Sequence, residues 1–267
     1  MKISIIVPTY KPQAYLWECL DSIYNQTFPK SEYELVLVLN GCCEPYNTQI
    51  KEWLSKHPDL QVQYFQTDEG GVSNARNIAL DNVKGEYVTF VDDDDYISPM
   101  YLEKLYEKVA PDTVSLCYIY AFNDGEIEKQ LPYRITDAYN YCTQHNCRSL
   151  TSRVRKFFSG PCMKLIPMSF IQGRRYDKRF KIGEDSLFMF LISDKIKKVS
   201  FTSKEAVYYR RYRENSAVTS HKNILSVIQN ALKLIDAYCK IYINHPFRYS
   251  TKLFILRILA SVKSIFF

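Results

Sequence analysis

No pair of cysteines stands at CxxC spacing in this chain, although it has eight cysteines, and its four histidines are scattered. Zinc is therefore not expected, and the thiols read as small buried hydrophobes. No glycine-rich phosphate loop with basic neighbours follows the first apolar run, which argues against a nucleotidyltransferase. No secretory leader precedes that run either. Ile3, Ile5, Ile6 and Val7 follow Met1 and Lys2 directly, so reduced thiols in a cytoplasmic setting are the expectation. Excess charge is missing from most of the chain. Seven of the 35 Lys and Arg, but one of the 29 Asp and Glu, fall in residues 222–267, so the net +6 belongs to that tail. Residues 1–221 balance, a poor basis for binding nucleic acid.

What is present is enough apolar material for one large domain: 267 residues, 46% hydrophobic and 24% charged. Ile3 to Val7 is a continuous apolar run of buried-strand type, and Leu16, Leu20, Ile23 and Tyr24 recur at helical spacing before Thr27, Phe28 and Pro29 break the pattern. Leu35 to Leu39 is a second strand, Ile50, Trp53 and Leu54 mark a short helix, and Val62 and Tyr64 alternate as a third strand. Ser73 stands where an N-cap is expected, Ala75, Ile78, Ala79 and Val83 form a stripe ended by Gly85, and Tyr87 to Val91 is the next strand. This alternation predicts an α/β fold: a mostly parallel sheet with flanking helices and ligands beyond the carboxyl ends of its strands.

On that rim stand four consecutive carboxylates, Asp92 to Asp95. Like charges this close raise one another's pKa and oppose folding unless a counter-ion relieves them, and a divalent cation held by hard oxygens is the economical answer. An EF-hand is excluded, because counting from Asp92 puts Ile97 where glycine is required. If the strand pleat continues through the tetrad, Asp92 and Asp94 share a side and Asp93 points away, which makes Asp93 the poorest metal ligand of the four.

Four segments in order resemble glycosyltransferase family 2. They are Ile5–Tyr10 with Cys19–Ile23, Gln26 and Thr27; Gly71–Asn77; Phe90–Asp95, similar to the family's D-x-D-D site; and Gly183–Phe188, similar to its catalytic acidic motif. The resemblance spans roughly residues 3–216 and implies a GT-A fold, Rossmann-like, with a nucleotide-sugar donor and transfer with inversion at the anomeric carbon. It places Asp185 as the catalytic base, and Asp92, Asp94 and Asp95 around Mn2+ or Mg2+. It places Pro8, Thr9, Tyr10, Asn40, Arg76, Asp92, Asp93 and Asp94 against the nucleotide sugar. Gly183 is expected to allow a ligand to approach closely. Where many relatives carry Asp-Asp-Gly-Ser, this chain has Leu39, Asn40, Gly41 and Cys42, so a neutral amide replaces the carboxylate that usually reads the base; a UDP-sugar remains the default. Lys164, Glu184 and Arg213 are expected as acceptor or phosphate contacts, although the alternating Tyr and Arg of the segment Tyr208–Ser216 also suit cross-strand packing. The acceptor class is a saccharide or lipid-linked saccharide, as in surface polysaccharide synthesis. The rival readings are a non-catalytic nucleotide-sugar-binding relative and a nucleotidyltransferase.

The expected organisation is a catalytic domain over residues 1–221, with a nucleotide-sugar half (1–110) and an acceptor half (111–221), and a basic amphipathic helical tail over 222–267. On a helical wheel Phe254, Ile255, Ile258, Leu259, Val262, Ile265 and Phe266 oppose Arg257 and Lys263. Residues 252–267 reach about 24 Å as a helix, too short for the ~30 Å hydrocarbon core. Peripheral attachment to the inner, anionic face of the cell membrane is the expectation, with packing on the catalytic domain or a second subunit as the alternative.

Overall fold

The structure, a computed structural model, describes residues 1–213 and 224–265. Its centre is built from the continuous apolar runs: β1 (Ile3–Thr9) and β2 (Tyr33–Asn40) are buried along their whole length, as parallel strands covered on both faces must be. Helices with one apolar stripe cover them. α1 (Tyr15–Tyr24) buries Leu16, Cys19, Leu20 and Ile23, α2 (Tyr46–Ser55) buries Ile50 and Trp53, and α3 (Val72–Asn82) buries Ala75 and Ala79. Gly71, rather than Ser73, occupies the N-cap position of α3, and Ser73 lies inside the helix.

β3 (Val62–Thr67) closes one edge of the sheet, and β4 (Tyr87–Phe90) pairs with the other side of β1. Then follow β5 (Tyr96–Ile97), α4 (Tyr101–Tyr106), β6 (Thr113–Leu116), β7 (Tyr118–Asn123) and α5 (Arg134–Gln144). A 3-10 segment, Val154–Ser159, leads to β8 (Lys164–Pro167), α6 (Met168–Ile171), α7 (Glu184–Leu191), β9 (Lys198–Phe201) and β10 (Val207–Tyr212). The main sheet runs β3-β2-β1-β4-β8-β6-β9, parallel except for β8, which is antiparallel to both its neighbours. A small second sheet, β5-β10-β7, stands beside the tetrad. The parallel register aligns Thr9 with Leu39 and Ile6 with Phe90, so β1, β2 and β4 deliver their carboxyl ends to one rim.

The tail forms two helices, α8 (Ile224–Asn244) and α9 (Thr251–Lys263). They pack on the preceding α/β part of the chain, in line with the alternative reading of the sequence, through a second apolar cluster: Leu234, Ala237, Tyr238, Tyr249 and Leu253 against Phe180, Leu187 and Phe190. Arg257 departs from the helical wheel. It is buried, and its Nη2 donates to the Phe158 carbonyl. Leu253, Arg257 and Ser261 form the inward face of α9, while Ile255 and Leu259 stay 50% and 57% exposed. A backbone carbonyl is the partner that Nη2 needs, and it lies inside, although Nε stays buried without one. Phe266 and the Glu214–Ser216 end of the Tyr-Arg segment lie outside the described residues.

Candidate functional site

Pro8, Thr9 and Tyr10 at the end of β1, Asn40 and Gly41 at the end of β2, and Asp92 to Asp94 after β4 all line one cleft of about 850 Å³. The tetrad in it is not a strand. β4 ends at Phe90, and Asp95 N donates to the Asp92 carbonyl at 3.0 Å, closing a tight turn. Strict alternation therefore does not govern these side chains, and two expectations change. Asp93 faces the cleft and accepts from Thr9 Oγ1 at 2.5 Å. Asp95 is turned away: it is 3% exposed, does not line the cleft, and its Oδ1 accepts from Arg211 N at 2.8 Å, tying the turn to β10 instead of facing a metal.

Two arginines answer the tetrad's charge. Arg213, stacked on the Tyr15 ring at 4.3 Å, donates to Asp94 Oδ2 from Nε and Nη2 at 2.8 and 2.6 Å. Arg76, 3% exposed, donates from Nη2 to Asp92 Oδ1 at 2.9 Å and from Nη1 to Asp185 Oδ1 at 2.5 Å. It thus sits beneath the cleft and bridges two carboxylates, rather than reaching a nucleotide as the resemblance implied. Asn40 is corrected in the same way. Its Nδ2 donates to the Thr9 carbonyl at 2.7 Å and its Oδ1 accepts from Gly71 N at 2.8 Å, so the amide rivets β1, β2 and the turn before α3.

Hard carboxylate oxygens on one turn suit Mg2+ or Mn2+. Burial raises the carboxyl of Asp93 to about 7 and that of Asp94 upward too, with neighbouring aspartates adding to both, so the turn favours added positive charge. Among the described residues no three His, Cys, Asp or Glu are gathered around one ion position. Asp92 turns to Arg76, Asp93 to Thr9 and Asp94 to Arg213. The donor set fits such an ion by its chemistry.

Asp185 and Glu184 open α7. Asp185 Oδ1 is taken by Arg76, whereas Oδ2 faces Gly160. Burial raises the Asp185 carboxyl while Arg76 opposes the rise. Glu184 is 8% exposed, its Oε2 has no partner, and burial with the charge of Asp185 pushes it up to about 7. Gly183, with φ +86°, does admit a close neighbour, but that neighbour is Leu234 of α8: a Cβ there would stand 2.6 Å from Leu234 Cδ1. Lys164 is likewise not a substrate contact. It is fully buried, and its Nζ donates to the Gly160 and Cys162 carbonyls at 2.6 Å each, with burial holding it down to about 8.

Behind the tetrad a second chamber of about 200 Å³ is lined by Asp92, Asp185, Gly160, Tyr133, Arg134 and Arg210, among others. Asp92 is the one residue among those described that borders both spaces. Lys178 and Lys181 of the large cleft, and Tyr133, Arg134 and Arg210 of the small one, were not selected from the sequence. For Arg210 a signal existed: strand alternation puts Tyr208, Arg210 and Tyr212 on one face, and Tyr208 accepts at its OH from Asp92 N at 3.2 Å.

The sequence model "Glycosyl transferase family 2" matches residues 4–178. The Minor teichoic acid biosynthesis protein GgaB of Bacillus subtilis is 27% identical over 92% of this chain and 29% of its own. Poly(ribitol-phosphate) beta-N-acetylglucosaminyltransferase TarS of Staphylococcus aureus is 44% identical over 37% of this chain and 17% of its own. The matched part thus spans less than a third of these curated relatives. The crystal structure of S. aureus TarS 1-349 in complex with UDP-GlcNAc covers 100% of this chain and 73% of its own with a TM-score of 0.75 at 23% identity, which gives the GT-A fold. The mannosyltransferase PcManGT from Pyrobaculum calidifontis, solved with GDP-Man and Mn2+, has a TM-score of 0.61 at 19% identity, over 99% of this chain and 69% of its own.

Proposed function

The chain belongs to glycosyl transferase family 2, and from that premise we propose that it is an inverting, metal-dependent glycosyltransferase. It moves a sugar from a nucleotide sugar, by default a UDP-sugar, to a hydroxyl of a saccharide or lipid-linked saccharide in surface polysaccharide synthesis. The observation that carries this reading is the Asp92–Arg76–Asp185 bridge, which fixes a carboxylate of the large cleft to a carboxylate of the small chamber. Relatives named as glycosyltransferases and a structural neighbour solved with UDP-GlcNAc support the reaction class.

The donor lies in the large cleft, its nucleotide beside Pro8 to Tyr10 and its diphosphate toward Asp92 to Asp94, where Lys181 and Arg213 are the neighbouring cations. Asp92 and Asp94 would hold Mn2+ or Mg2+, which would supply positive charge to the diphosphate that must leave. The acceptor enters the small chamber. Asp185 Oδ2 takes the proton of its hydroxyl as that oxygen attacks the anomeric carbon from the face opposite the diphosphate. Burial favours the protonated Asp185 that this step creates, and Arg76 holds the carboxylate in place beforehand. Residues 1–221 are the catalytic domain in this reading, with the donor half over 1–110 and the acceptor half over 111–221. Helices α8 and α9 of the tail are a docked extension whose outward strip, Ile255, Leu259 and Val262 with Lys252 nearby, rests on an anionic cytoplasmic leaflet.

Calorimetry of UDP with Mn2+ tests the donor assignment: Asp94→Ala should abolish metal-dependent binding, and unchanged affinity would defeat it. Asp185→Asn should keep UDP binding and stop transfer; substantial residual turnover would remove it as base. Release of UDP, not pyrophosphate, separates this reaction from nucleotidyl transfer.

A further inference from the structure

Three arginines follow one another on or just beyond β10, and their side chains meet different fates. Arg211 donates to Glu18 Oε2 at 2.5 Å, to Asp124 Oδ1 at 2.7 Å and to the Asp94 carbonyl at 3.0 Å. Arg213 is held by Asp94. Arg210, which precedes them on the opposite face of the strand, makes no side-chain hydrogen bond or salt bridge to any described residue, and its Nε is buried without a partner. The faces of Tyr133 and Tyr212, whose ring centres lie 5.7 and 5.5 Å from its guanidinium carbon, and the nearby charges of Asp95 and Asp92 steady it without a hydrogen bond. Half-buried guanidinium donors left unpaired are costly, and a strand that pairs both neighbouring arginines has reason to keep one open only where a ligand completes it.

The space that Arg210 lines is the small chamber. Arg134, the first residue of α5, lines it too and likewise makes no side-chain ion pair with any described residue. The chamber's two carboxylates, Asp92 and Asp185, are both engaged by Arg76 from behind. The chamber therefore presents two guanidinium groups with no hydrogen-bonded side-chain partner among the described residues, beside the second oxygen of Asp185. At about 200 Å³ it is smaller than the about 300–1,000 Å³ usual for small-molecule sites, which suits a single unit of an acceptor. Planar guanidinium forks are the side chains best matched to phosphate oxygens.

Resting on the transferase reading above, we propose that the acceptor is anionic: Arg210 and Arg134 bind a phosphate group that the acceptor carries near its attacking hydroxyl. Such a phosphate comes either from a phosphodiester-linked polymer or from a lipid diphosphate. Both share the chemistry that these two side chains recognise.

The test uses the full chain with its donor cleft saturated by UDP and Mn2+, and titrates glycerophosphoglycerol, geranyl diphosphate and neutral glycerol by calorimetry. We expect one or both phosphate probes to bind and glycerol not to. Arg210→Gln and the exposed Arg134→Gln should each weaken that binding at least about tenfold while UDP affinity stays unchanged. Binding of the diester alone assigns a polymer acceptor; binding of the diphosphate alone assigns a lipid-linked one. If neither phosphate probe binds, or if both variants bind as the wild type does, the anionic acceptor is wrong, and retained UDP binding would show that the donor assignment survives. Should Arg210→Gln unfold, Arg134→Gln and Arg210→Lys decide, since Lys keeps the charge but loses the fork.

Discussion

Arg76 and Asp185 are 109 positions apart in sequence, and Arg76 Nη1 stands 2.5 Å from Asp185 Oδ1. With Asp92 on its other nitrogen, this one guanidinium ties α3, the turn after β4 and the start of α7 into a single charged unit.

Arg76→Gln should therefore cost up to about 3–5 kcal/mol, because two part-buried carboxylates lose the counter-charge of a buried guanidinium they share. Urea denaturation measures it, and a loss below 1 kcal/mol would contradict the bridge. Arg76→Lys, which keeps charge but not the fork, should fall between. In any Arg76 variant that still turns over, the acid limb of the pH–rate profile should move to higher pH, since Arg76 is what opposes the rise in the Asp185 carboxyl.

The carboxyls of Asp93 and Glu184, both raised to about 7, set a direction for stability against pH. An acid whose folded pKa exceeds its unfolded value favours the fold while protonated. Its contribution is present below about pH 4 and is lost as pH climbs to about 7. Thermal unfolding at a series of pH values should show the midpoint falling over this window, and the fall should shrink in Asp93→Asn and in Glu184→Gln. A slope that both variants leave intact would place the effect elsewhere. UDP with Mn2+ should stabilise more at pH 7.5 than at pH 5.5.

Lys164→Met leaves the Gly160 and Cys162 carbonyls without their donor and should cost about 1–3 kcal/mol. Because the lysine's folded pKa, about 8, lies below its unfolded value, the wild type should gain stability between about pH 8 and pH 10.5, and this variant should lose that gain. In the folded fraction, KM for donor and acceptor should stay within about twofold. A larger rise in either KM would return Lys164 to the substrate.

Gly183→Ala meets two obstacles: a positive φ, which costs a residue with a Cβ about 1–2 kcal/mol, and the methyls of Leu234. Leu234→Ala removes the second alone. The double variant should accordingly be more stable than the sum of the singles predicts, by about 1 kcal/mol or more. Strict additivity, by chemical denaturation, would mean that α8 does not press on this glycine.

Replacing Ile255, Leu259 and Val262 together by serine should release the protein from vesicles containing phosphatidylserine while leaving its unfolding midpoint nearly unchanged, because these residues face outward. Undiminished sedimentation with vesicles would remove the strip as an anchor.

The strands β1, β2 and β4 and the stripes of α1 and α3 were legible because burial on two faces forces continuous apolar runs and one-faced helices force a 3.6 period. The four acidic and turn segments of the site were legible as motifs; three of them line the large cleft, and Asp185 of the fourth lines the small chamber, tied to Asp92 through Arg76. What misled was local geometry decided by partners far along the chain. Asp95 belongs to Arg211, so the tetrad turns where a pleat was expected. Leu234 fills the space at Gly183, and the Phe158 carbonyl draws Arg257 inward against the helical wheel. Lys164 looked like a phosphate ligand because a lysine's burial beneath two carbonyls leaves no trace in its neighbours.

Because the two chambers meet only at Asp92 among the described residues, the protein's two recognition problems are nearly separable. On the proposed assignment of donor and acceptor, exchanging Tyr10 or Lys181 should retune what arrives activated, and exchanging Tyr133 or Arg134 should retune what is decorated, each without disturbing the other wall. Engineering a new donor–acceptor combination can thus proceed one side at a time, with Asp92 as the position to leave alone.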